Sequence, residues 1–209
     1  MSTPSMSLYH NPASPFGRKV VVLLFETGQQ NRVAIKPVSL TPIAPSDELN
    51  RDNPLGKLPA LCLADGSVIH DSRVILDYLD QQHVGNPLIP PTGAARWRRL
   101  TLASTADGVM DAAVLMRYEL GLRPLDKQWD DWLKAQGDKI HRALAYLEHN
   151  AIAELTSHFD VAAISVACAL AYIDLRLPDF DWRSSNPQLG SWYAEVSKRP
   201  SMQATRPTG

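Results

Sequence analysis

The sequence has few of the features that mark secreted, membrane-spanning or nucleic-acid-binding proteins. Its only cysteines, Cys62 and Cys168, lie far apart inside apolar runs, which favours buried free thiols in a reducing compartment over a disulfide framework. The longest apolar run, residues 161–173, is shorter than the roughly 20 residues that span a bilayer. The N-terminal residues have neither the basic nor the apolar stretch of a signal peptide. We therefore expect a cytoplasmic protein with no membrane partner.

Charge and metal-ligand patterns are equally sparse. The formal net charge is −1, whereas nucleic-acid-binding domains usually carry a basic patch, so we expect no nucleic-acid partner. The 6 histidines show no spacing with Cys or Asp that is typical of metal ligands, and we expect no metal. No glycine motif of the kind that cradles a nucleotide phosphate is present.

The first 83 residues alternate between strand and helix patterns. Asp65-Gly66 separates two short apolar runs and predicts a hairpin with a two-residue turn, and Ser72 is the predicted cap of the helix that follows. A strand–helix–strand unit needs a parallel strand pair, whereas a hairpin needs an antiparallel one. We therefore predict a small mixed sheet in a βαβ-ββα domain of the thioredoxin-like type. Its predicted elements are strands 7–10 and 32–40, helices 15–27 and 72–83, and a loop over 41–56 that could include one helical turn.

The second half of the sequence shows no strand pattern. Residues 85–93 hold three prolines and two glycines and form the clearest linker in the chain. We therefore predict an α/β domain over 6–84, a linker over 85–93 and an all-α helical bundle over 94–209. The helices predicted in this bundle are 94–120, 127–155, 159–176 and 187–198.

Ser14 and Pro15 stand at the start of the first predicted helix. Serine before a proline at the first helical position is a common helix cap. The Ser14 hydroxyl could equally point at a reacting group, and the stretch alone leaves both interpretations open.

Two further motifs are suited to a peptide-like ligand. Pro59 stands directly before an apolar strand, and a cis Leu58–Pro59 bond would turn the backbone of Leu58 toward an extended ligand. Asp71 and Ser72 open the next helix, whose free N–H groups would bind a carboxylate while Asp71 pairs with an ammonium group. A ligand group with both charges is an amino-acid headgroup.

In this order along the chain, the motifs resemble those of the glutathione transferases. The resemblance covers nearly the whole chain and extends to "SHFDVA", residues 157–162, which matches the family's capping box with Ser157 as the cap. It implies the glutathione transferase fold, a thioredoxin-like domain that binds glutathione and a helical domain that binds the acceptor substrate. The motifs that carry it are Ser14-Pro15-Phe16, the segment 53–59, the pair Asp71-Ser72, the proline-rich linker and the helical second half.

The resemblance also implies a role for each matching residue. Leu58, before a cis Pro59, would pair with the cysteinyl backbone of glutathione, and Asp71 and Ser72 would hold the γ-glutamyl headgroup. Asp71 departs from the commoner glutamine or glutamate and is one methylene shorter. Ser14, with Phe16 of the same motif, would lie beside the sulfur and lower the pKa of the thiol. Tyr9 on the first strand is the runner-up for this catalytic role.

The function implied is that of a cytoplasmic, homodimeric glutathione transferase in detoxification. Glutathione, the co-substrate, would attack a small, apolar electrophile, and serine in place of cysteine at position 14 disfavours a mixed-disulfide mechanism. The alternatives are a non-catalytic adaptor that binds a protein partner, and a glutathione-dependent peroxidase or isomerase. The residues predicted to contact the acceptor are His10, Asp107, Met110, Asp111 and Tyr118.

Overall fold

The chain divides into two compact units. The structure is a computed structural model that describes residues 5–208. The first unit runs up to Ile89 and includes residues 204–208, and the second spans Pro90–Gln203. The boundaries expected from the sequence, 6–84, 85–93 and 94–209, stay a prediction.

The first unit is built on a four-stranded mixed sheet. Its strands are β1 (Met6–His10), β2 (Val33–Pro37), β3 (Ala60–Cys62) and β4 (Val68–Ile69), and their order in the sheet is β2-β1-β3-β4. β1 is parallel to β2 and antiparallel to β3, and β3 and β4 form an antiparallel hairpin. This arrangement confirms the predicted mixed sheet and the thioredoxin-like fold.

Helices cover both faces of this sheet. The helices of the unit are α1 (Pro15–Glu26), α2 (Asp47–Asp52) and α3 (Ser72–Asp80). α1 packs against α3, because both helices repeat apolar residues at the spacing that makes one buried stripe. The buried residues of these two stripes include Val20, Leu23 and Leu24 of α1 and Ile75, Leu76 and Leu79 of α3. Leu8 and Tyr9 are both fully buried, and since successive side chains of a strand point to opposite faces, β1 is covered on both sides.

The hairpin between β3 and β4 differs from the predicted one. The Leu63 N–H donates to the Ser67 carbonyl at 2.8 Å, and the Gly66 N–H donates to the Leu63 carbonyl at 3.1 Å. Three residues therefore lie in the loop, and the predicted two-residue turn is wrong. A two-residue type I′ turn needs positive φ at both central residues, but only Gly66 has it, at 87°. Asp65 instead accepts a hydrogen bond from the Ser67 N–H at 2.9 Å.

The second unit is helical. α7 is buried along almost its whole length and packs against α4, which confirms the prediction of a helix buried on all sides. Within residues 5–208 no helix combines the length and hydropathy needed to cross a membrane. The remaining helices are α4 (Gly93–Leu122), α5 (Asp130–Asn150), α6 (Ile152–Ser157), α7 (Val161–Arg176), α8 (Pro187–Val196) and α9 (Pro200–Ala204), with a 3₁₀ turn at Leu125–Lys127.

The cap of α7 is Asp160 rather than Ser157. The Asp160 carboxylate accepts hydrogen bonds from the Ala162 and Ala163 N–H groups at 3.0 and 3.2 Å. Ser157 is the last residue of α6, and its hydroxyl donates to the Glu154 carbonyl at 2.8 Å. The expected capping box is therefore wrong, because the chain is still in the preceding helix at Ser157.

Candidate functional site

Ser14 caps α1 and still has a proton to donate. Its Oγ accepts a hydrogen bond from the Gly17 N–H at 3.2 Å, and its own N–H donates to the Asn11 carbonyl at 2.8 Å. This confirms the cap interpretation. The cap uses the hydroxyl oxygen as an acceptor, and the hydroxyl proton remains available to a ligand. The side chain is partly buried.

The first turn of α1 favours a negative charge near Ser14. Pro15 has no N–H, and the Gly17 N–H is bonded to Ser14. The Phe16 N–H is therefore the donor of the first turn that the helix itself leaves open. Together with the positive end of the helix dipole, this donor and the Ser14 hydroxyl would stabilise an anionic atom.

His10 packs against the same turn because residue 17 is glycine. A Cβ on Gly17 would lie 2.4 Å from His10 Nδ1 and 3.5 Å from Ser14 Oγ. The Nδ1 atom is buried and has no hydrogen-bond partner within the described chain, residues 5–208. Burial lowers the pKa of His10 to about 4, since an apolar environment disfavours the charged imidazolium. The ring at the start of α1 is therefore neutral at physiological pH.

Tyr9 lies on the opposite face of β1. Its hydroxyl donates to Asp52 Oδ2 at 2.6 Å and accepts from Lys36 Nζ at 2.6 Å. Burial and the hydrogen bond to Asp52 raise the pKa of Tyr9, so the proton stays on the phenol. The structure thus places the Tyr9 hydroxyl with α2 and β2, whereas His10 contacts α1.

The segment before β3 is held by the buried side chain of Asn53. Its amide donates to the Lys57 carbonyl at 2.8 Å and accepts from the Leu55 N–H at 3.1 Å. The Leu58–Pro59 peptide is cis, as the resemblance implies. Leu58 precedes the first ladder pair, which joins Ala60 to Tyr9, so the sheet does not use its backbone N–H and C=O.

The cap of α3 is Asp71, not Ser72. Asp71 has an extended backbone and accepts from the Arg73 N–H at 3.0 Å, whereas Ser72 is already helical and buried. The predicted Ser72 cap is therefore wrong, because the helix begins at Ser72 itself and the carboxylate of the residue before it binds the free N–H. The His70–Asp71 peptide is cis.

Asp71 is charged at neutral pH. Burial by itself raises the pKa of the Asp71 carboxyl, but the hydrogen bonds and charge of Arg73, together with the charge of Lys19, outweigh it and hold the pKa below its ordinary value. Arg73 lies 2.9 Å from Asp71 Oδ2, on the exposed side of the helix start. A ligand ammonium would meet a carboxylate here.

The remaining predicted site residues lie on α4 in the second unit. Asp107 and Met110 are buried, Tyr118 is partly buried and Asp111 is exposed, so the structure does not place all four in one environment. No group of His, Cys, Asp and Glu that could hold a metal ion occurs among residues 5–208.

The sequence pattern does not reveal the residues that hold the site in place. Gly17 admits the His10 ring, Asn53 folds the loop before Leu58, and Lys36 and Asp52 bind the Tyr9 hydroxyl. None of them has a periodic signal, and only the Asn-Pro-Leu-Gly turn sequence around Asn53 pointed to one of them.

Family models match both halves of the chain. A model described as "Glutathione S-transferase, N-terminal domain" matches residues 8–87, and one described as "Glutathione S-transferase, C-terminal domain" matches residues 130–195. The "Uncharacterized GST-like protein YibF" of Escherichia coli K12 is 30% identical over 204 residues, which are 97% of this chain and 98% of that protein. The chain therefore belongs to the glutathione S-transferase family.

Solved structures agree with this assignment. A glutathione transferase family member from Pseudomonas fluorescens Pf-5, with bound glutathione, is 67% identical with a TM-score of 0.97, over 98% of this chain and 100% of that one. A second structure from that organism, 66% identical with a TM-score of 0.92 and the same coverage, contains S-(propanoic acid)-glutathione.

A stringent starvation protein A homologue from Coxiella burnetii is 34% identical over 93 residues, 44% of this chain and 42% of that protein.

Proposed function

We propose that the protein is a glutathione transferase in which Ser14 stabilises the thiolate of bound glutathione for attack on a small, largely apolar electrophile. The observation that carries the proposal is the Ser14 hydroxyl, which caps α1 through its oxygen and keeps its proton for a ligand. The 67% identical family member with bound glutathione supports glutathione as that ligand.

The proposed mechanism needs no general base on the protein. A free thiol has a pKa of about 8.5 and is mostly protonated at neutral pH, although the thiolate is the nucleophile. The Ser14 hydroxyl, the Phe16 N–H and the α1 dipole all favour the charged form of a sulfur placed beside them. The thiol then loses its proton to solvent, and the new carbon–sulfur bond forms as the electrophile's leaving group departs or its π-bond shifts.

Three elements would bind the rest of glutathione. The backbone of Leu58, which the sheet leaves open, pairs with the cysteinyl backbone of glutathione in the manner of an added strand. The charged Asp71 carboxylate pairs with the γ-glutamyl ammonium, and the start of α3 at Ser72 takes its carboxylate. Pro59, which directly follows Leu58, is the other predicted glutathione-binding residue of this segment.

Ser14 is a better partner for the sulfur than Tyr9. The Tyr9 hydroxyl already donates to Asp52 and accepts from Lys36, so a ligand would have to displace a charge-assisted hydrogen bond to reach it. The acceptor contacts at His10, Asp107, Met110, Asp111 and Tyr118, the homodimer, the cytoplasmic location and the role in detoxification stay predictions.

A second candidate function is a non-catalytic adaptor of the glutathione transferase fold that binds a protein partner. The similarity over 93 residues to a stringent starvation protein A homologue, whose name states no transferase activity, favours it. An aryl-halide conjugation assay and a peroxide-reduction assay separate the two candidates, since an adaptor turns over neither substrate, and they also separate conjugation from peroxidase chemistry.

The decisive experiment measures the ionisation of bound glutathione. Reduced glutathione is titrated into the wild type by calorimetry, and the pH dependence of thiolate absorbance is then recorded for the wild type, Ser14→Ala, Ser14→Thr and Ser14→Asp. We expect Ser14→Ala to raise the pH of half-ionisation by about 1 and Ser14→Thr, which keeps a hydroxyl, to restore it.

Ser14→Asp separates the cap from the chemistry. Aspartate caps helices as well as serine does, so the thermal stability should stay near that of the wild type, while the added negative charge should suppress the thiolate further. An ionisation curve that is the same in all four proteins would refute the role of Ser14, and no binding of glutathione would refute the proposed function as a whole.

A further inference from the structure

Tyr9 belongs to a polar cluster on the side of the sheet that faces α2. The cluster joins β1, β2 and α2 through hydrogen bonds from Tyr9 to Asp52 and from Lys36 to Tyr9, both of 2.6 Å. A salt bridge of 2.7 Å links Lys36 to Glu48. These contacts tie both ends of the short helix α2 to the strands.

The hydrogen bond of the buried Tyr9 contributes more to the stability of this cluster than the exposed salt bridge does. The Lys36 and Glu48 side chains are 37% and 54% exposed, and exposed ion pairs of this kind contribute little. Tyr9, in contrast, is fully buried, and its hydroxyl bonds a carboxylate, which makes a stronger hydrogen bond than a neutral acceptor does. Asp52 Oδ2 also accepts a longer contact of 3.7 Å from Cys62 Sγ on β3, so the Tyr9–Asp52 hydrogen bond is the shorter of the two polar contacts that join Asp52 to the sheet.

This attachment continues into the segment that precedes β3. Asp52 is the last residue of α2 and Asn53 is its C-cap, with its N–H donating to the Leu49 carbonyl. The Asn53 side chain then holds the Lys57 carbonyl at 2.8 Å, directly before Leu58. Asn53 thus closes the short stretch between Asp52 and Leu58 into a compact loop.

Leu58 is also held from the side of the sheet. Its side chain packs on a buried apolar cluster formed by Tyr9, Leu49 and Ala60. The Tyr9 side chain thus belongs to the cluster that supports Leu58 and fastens Asp52 through its hydroxyl. Removal of the hydroxyl would take away its hydrogen bond to Asp52, while the apolar cluster under Leu58, which includes Leu49 of α2, persists.

We propose that Tyr9 is a positioning residue for glutathione: through its hydrogen bond to Asp52 it holds the Asn53–Leu58 segment in the geometry in which the Leu58 backbone pairs with the ligand. This inference rests on the proposed function, because it assumes that glutathione binds along Leu58. Tyr9 then acts on glutathione affinity and not on the ionisation of the thiol. A preordered segment binds more tightly because its ordering entropy is lost on folding rather than on binding.

The test uses Tyr9→Phe, Asp52→Ala and the double variant in the full chain. Calorimetric titration with reduced glutathione should show that Tyr9→Phe and Asp52→Ala each weaken binding by about tenfold. The double variant should bind glutathione less weakly than the sum of the two single effects predicts, because both changes break the Tyr9–Asp52 hydrogen bond, although Asp52→Ala also removes the Cys62 contact and Tyr9→Phe the Lys36 contact. The pH of half-ionisation of bound glutathione should match the wild type in all of them.

A matched control separates positioning from a general loss of stability. Gln29 is buried in the same unit and its amide donates to the Leu79 carbonyl at 3.0 Å. Gln29→Met should therefore lower the thermal stability while leaving the glutathione affinity unchanged. Amide hydrogen exchange of the free proteins should show faster exchange over residues 54–58 in Tyr9→Phe but not in Gln29→Met.

Two results would overturn the positioning role. Wild-type affinity in Tyr9→Phe would show that the contact does not order the segment for the ligand, and a displaced ionisation curve would make Tyr9 a direct partner of the sulfur. Failure of the wild type to bind glutathione would overturn the proposed function and this inference together. Wild-type affinity in Tyr9→Phe leaves the proposed function standing, whereas a displaced ionisation curve leaves its glutathione binding standing and assigns a contact with the sulfur to Tyr9.

Discussion

The neutral His10 ring should make the first unit sensitive to acid. Burial lowers the pKa of His10 from 6.5 to about 4, whereas in the unfolded chain it returns to its ordinary value. Between these two pH values the unfolded state binds a proton that the folded state does not, so the free energy of unfolding rises with pH. The contribution is fully present above pH 6.5 and is lost as the pH falls toward 4.

The size of this effect follows from the pKa difference. A fall from 6.5 to about 4 corresponds to about 3 kcal/mol. The His10 side chain is only partly buried, and screening by solvent reduces the expected loss to about 2 kcal/mol. A loss of this size is a measurable fraction of the free energy of unfolding of a typical domain, which is roughly 5–15 kcal/mol.

Native-state hydrogen exchange of the β1 amides measures this quantity. All 5 tryptophans lie between residues 97 and 192, in the second unit, so tryptophan fluorescence would report on the wrong part of the chain. The comparison is between the wild type and His10→Phe, in which an aromatic ring remains but cannot be protonated. From neutral pH to about pH 4, the wild type should lose about 2 kcal/mol more than the variant does.

The difference between the pH profiles of the wild type and of His10→Phe measures the contribution of the His10 titration alone. Any packing cost of the phenyl ring acts at every pH and cancels when the slopes are compared. Asp160 in the second unit has a pKa raised chiefly by burial, but it titrates in both proteins alike. Parallel pH profiles for the wild type and His10→Phe would refute the claim that a neutral, buried imidazole packs against α1.

Two further predictions concern the helix caps. Asp160→Ala should lower the free energy of unfolding of the second unit by about 2 kcal/mol, because it removes two N–H hydrogen bonds and the contact with Arg99 at 2.9 Å. Urea unfolding followed by tryptophan fluorescence measures this loss. An Asp160→Asn variant that is as unstable as Asp160→Ala would show that the cap hydrogen bonds contribute little. Asp71→Asn should weaken glutathione binding at neutral pH. Since the pKa of Asp71 is lowered, the carboxylate stays charged and its contribution to glutathione binding by the wild type should be constant between about pH 5 and pH 8 in calorimetry. Equal affinity in Asp71→Asn would contradict the pairing with the glutathione ammonium.

Local pattern was sufficient to predict most of the elements but not where they begin. The apolar spacing of α1 and the long apolar run of α7 predict those helices, and the Asp65-Gly66 pair correctly predicts a hairpin. The sequence pattern predicts caps at Ser72 and Ser157 instead of Asp71 and Asp160, because Ser and Asp are nearly equal as caps and the sequence does not show which residue still has an extended backbone. The loop at Gly66 has three residues instead of two because only Gly66 has the positive φ that a two-residue turn needs at both central positions.

Local sequence motifs are enough to identify the family of this protein. Ser14-Pro15-Phe16, the segment 53–59 and Asp71-Ser72 are local motifs whose order along the chain is characteristic of the glutathione transferases, and local motifs need no knowledge of distant contacts.

The side chains that hold those motifs in place depend on long-range packing. His10 and Tyr9 are neighbours on β1, and either could have faced the start of α1. The pleat of the strand turns His10 toward Gly17 and Tyr9 toward Asp52, 43 residues further along the chain. Contacts between residues so far apart depend on the packing of β1 between two layers of helices, and no periodicity in the sequence encodes them.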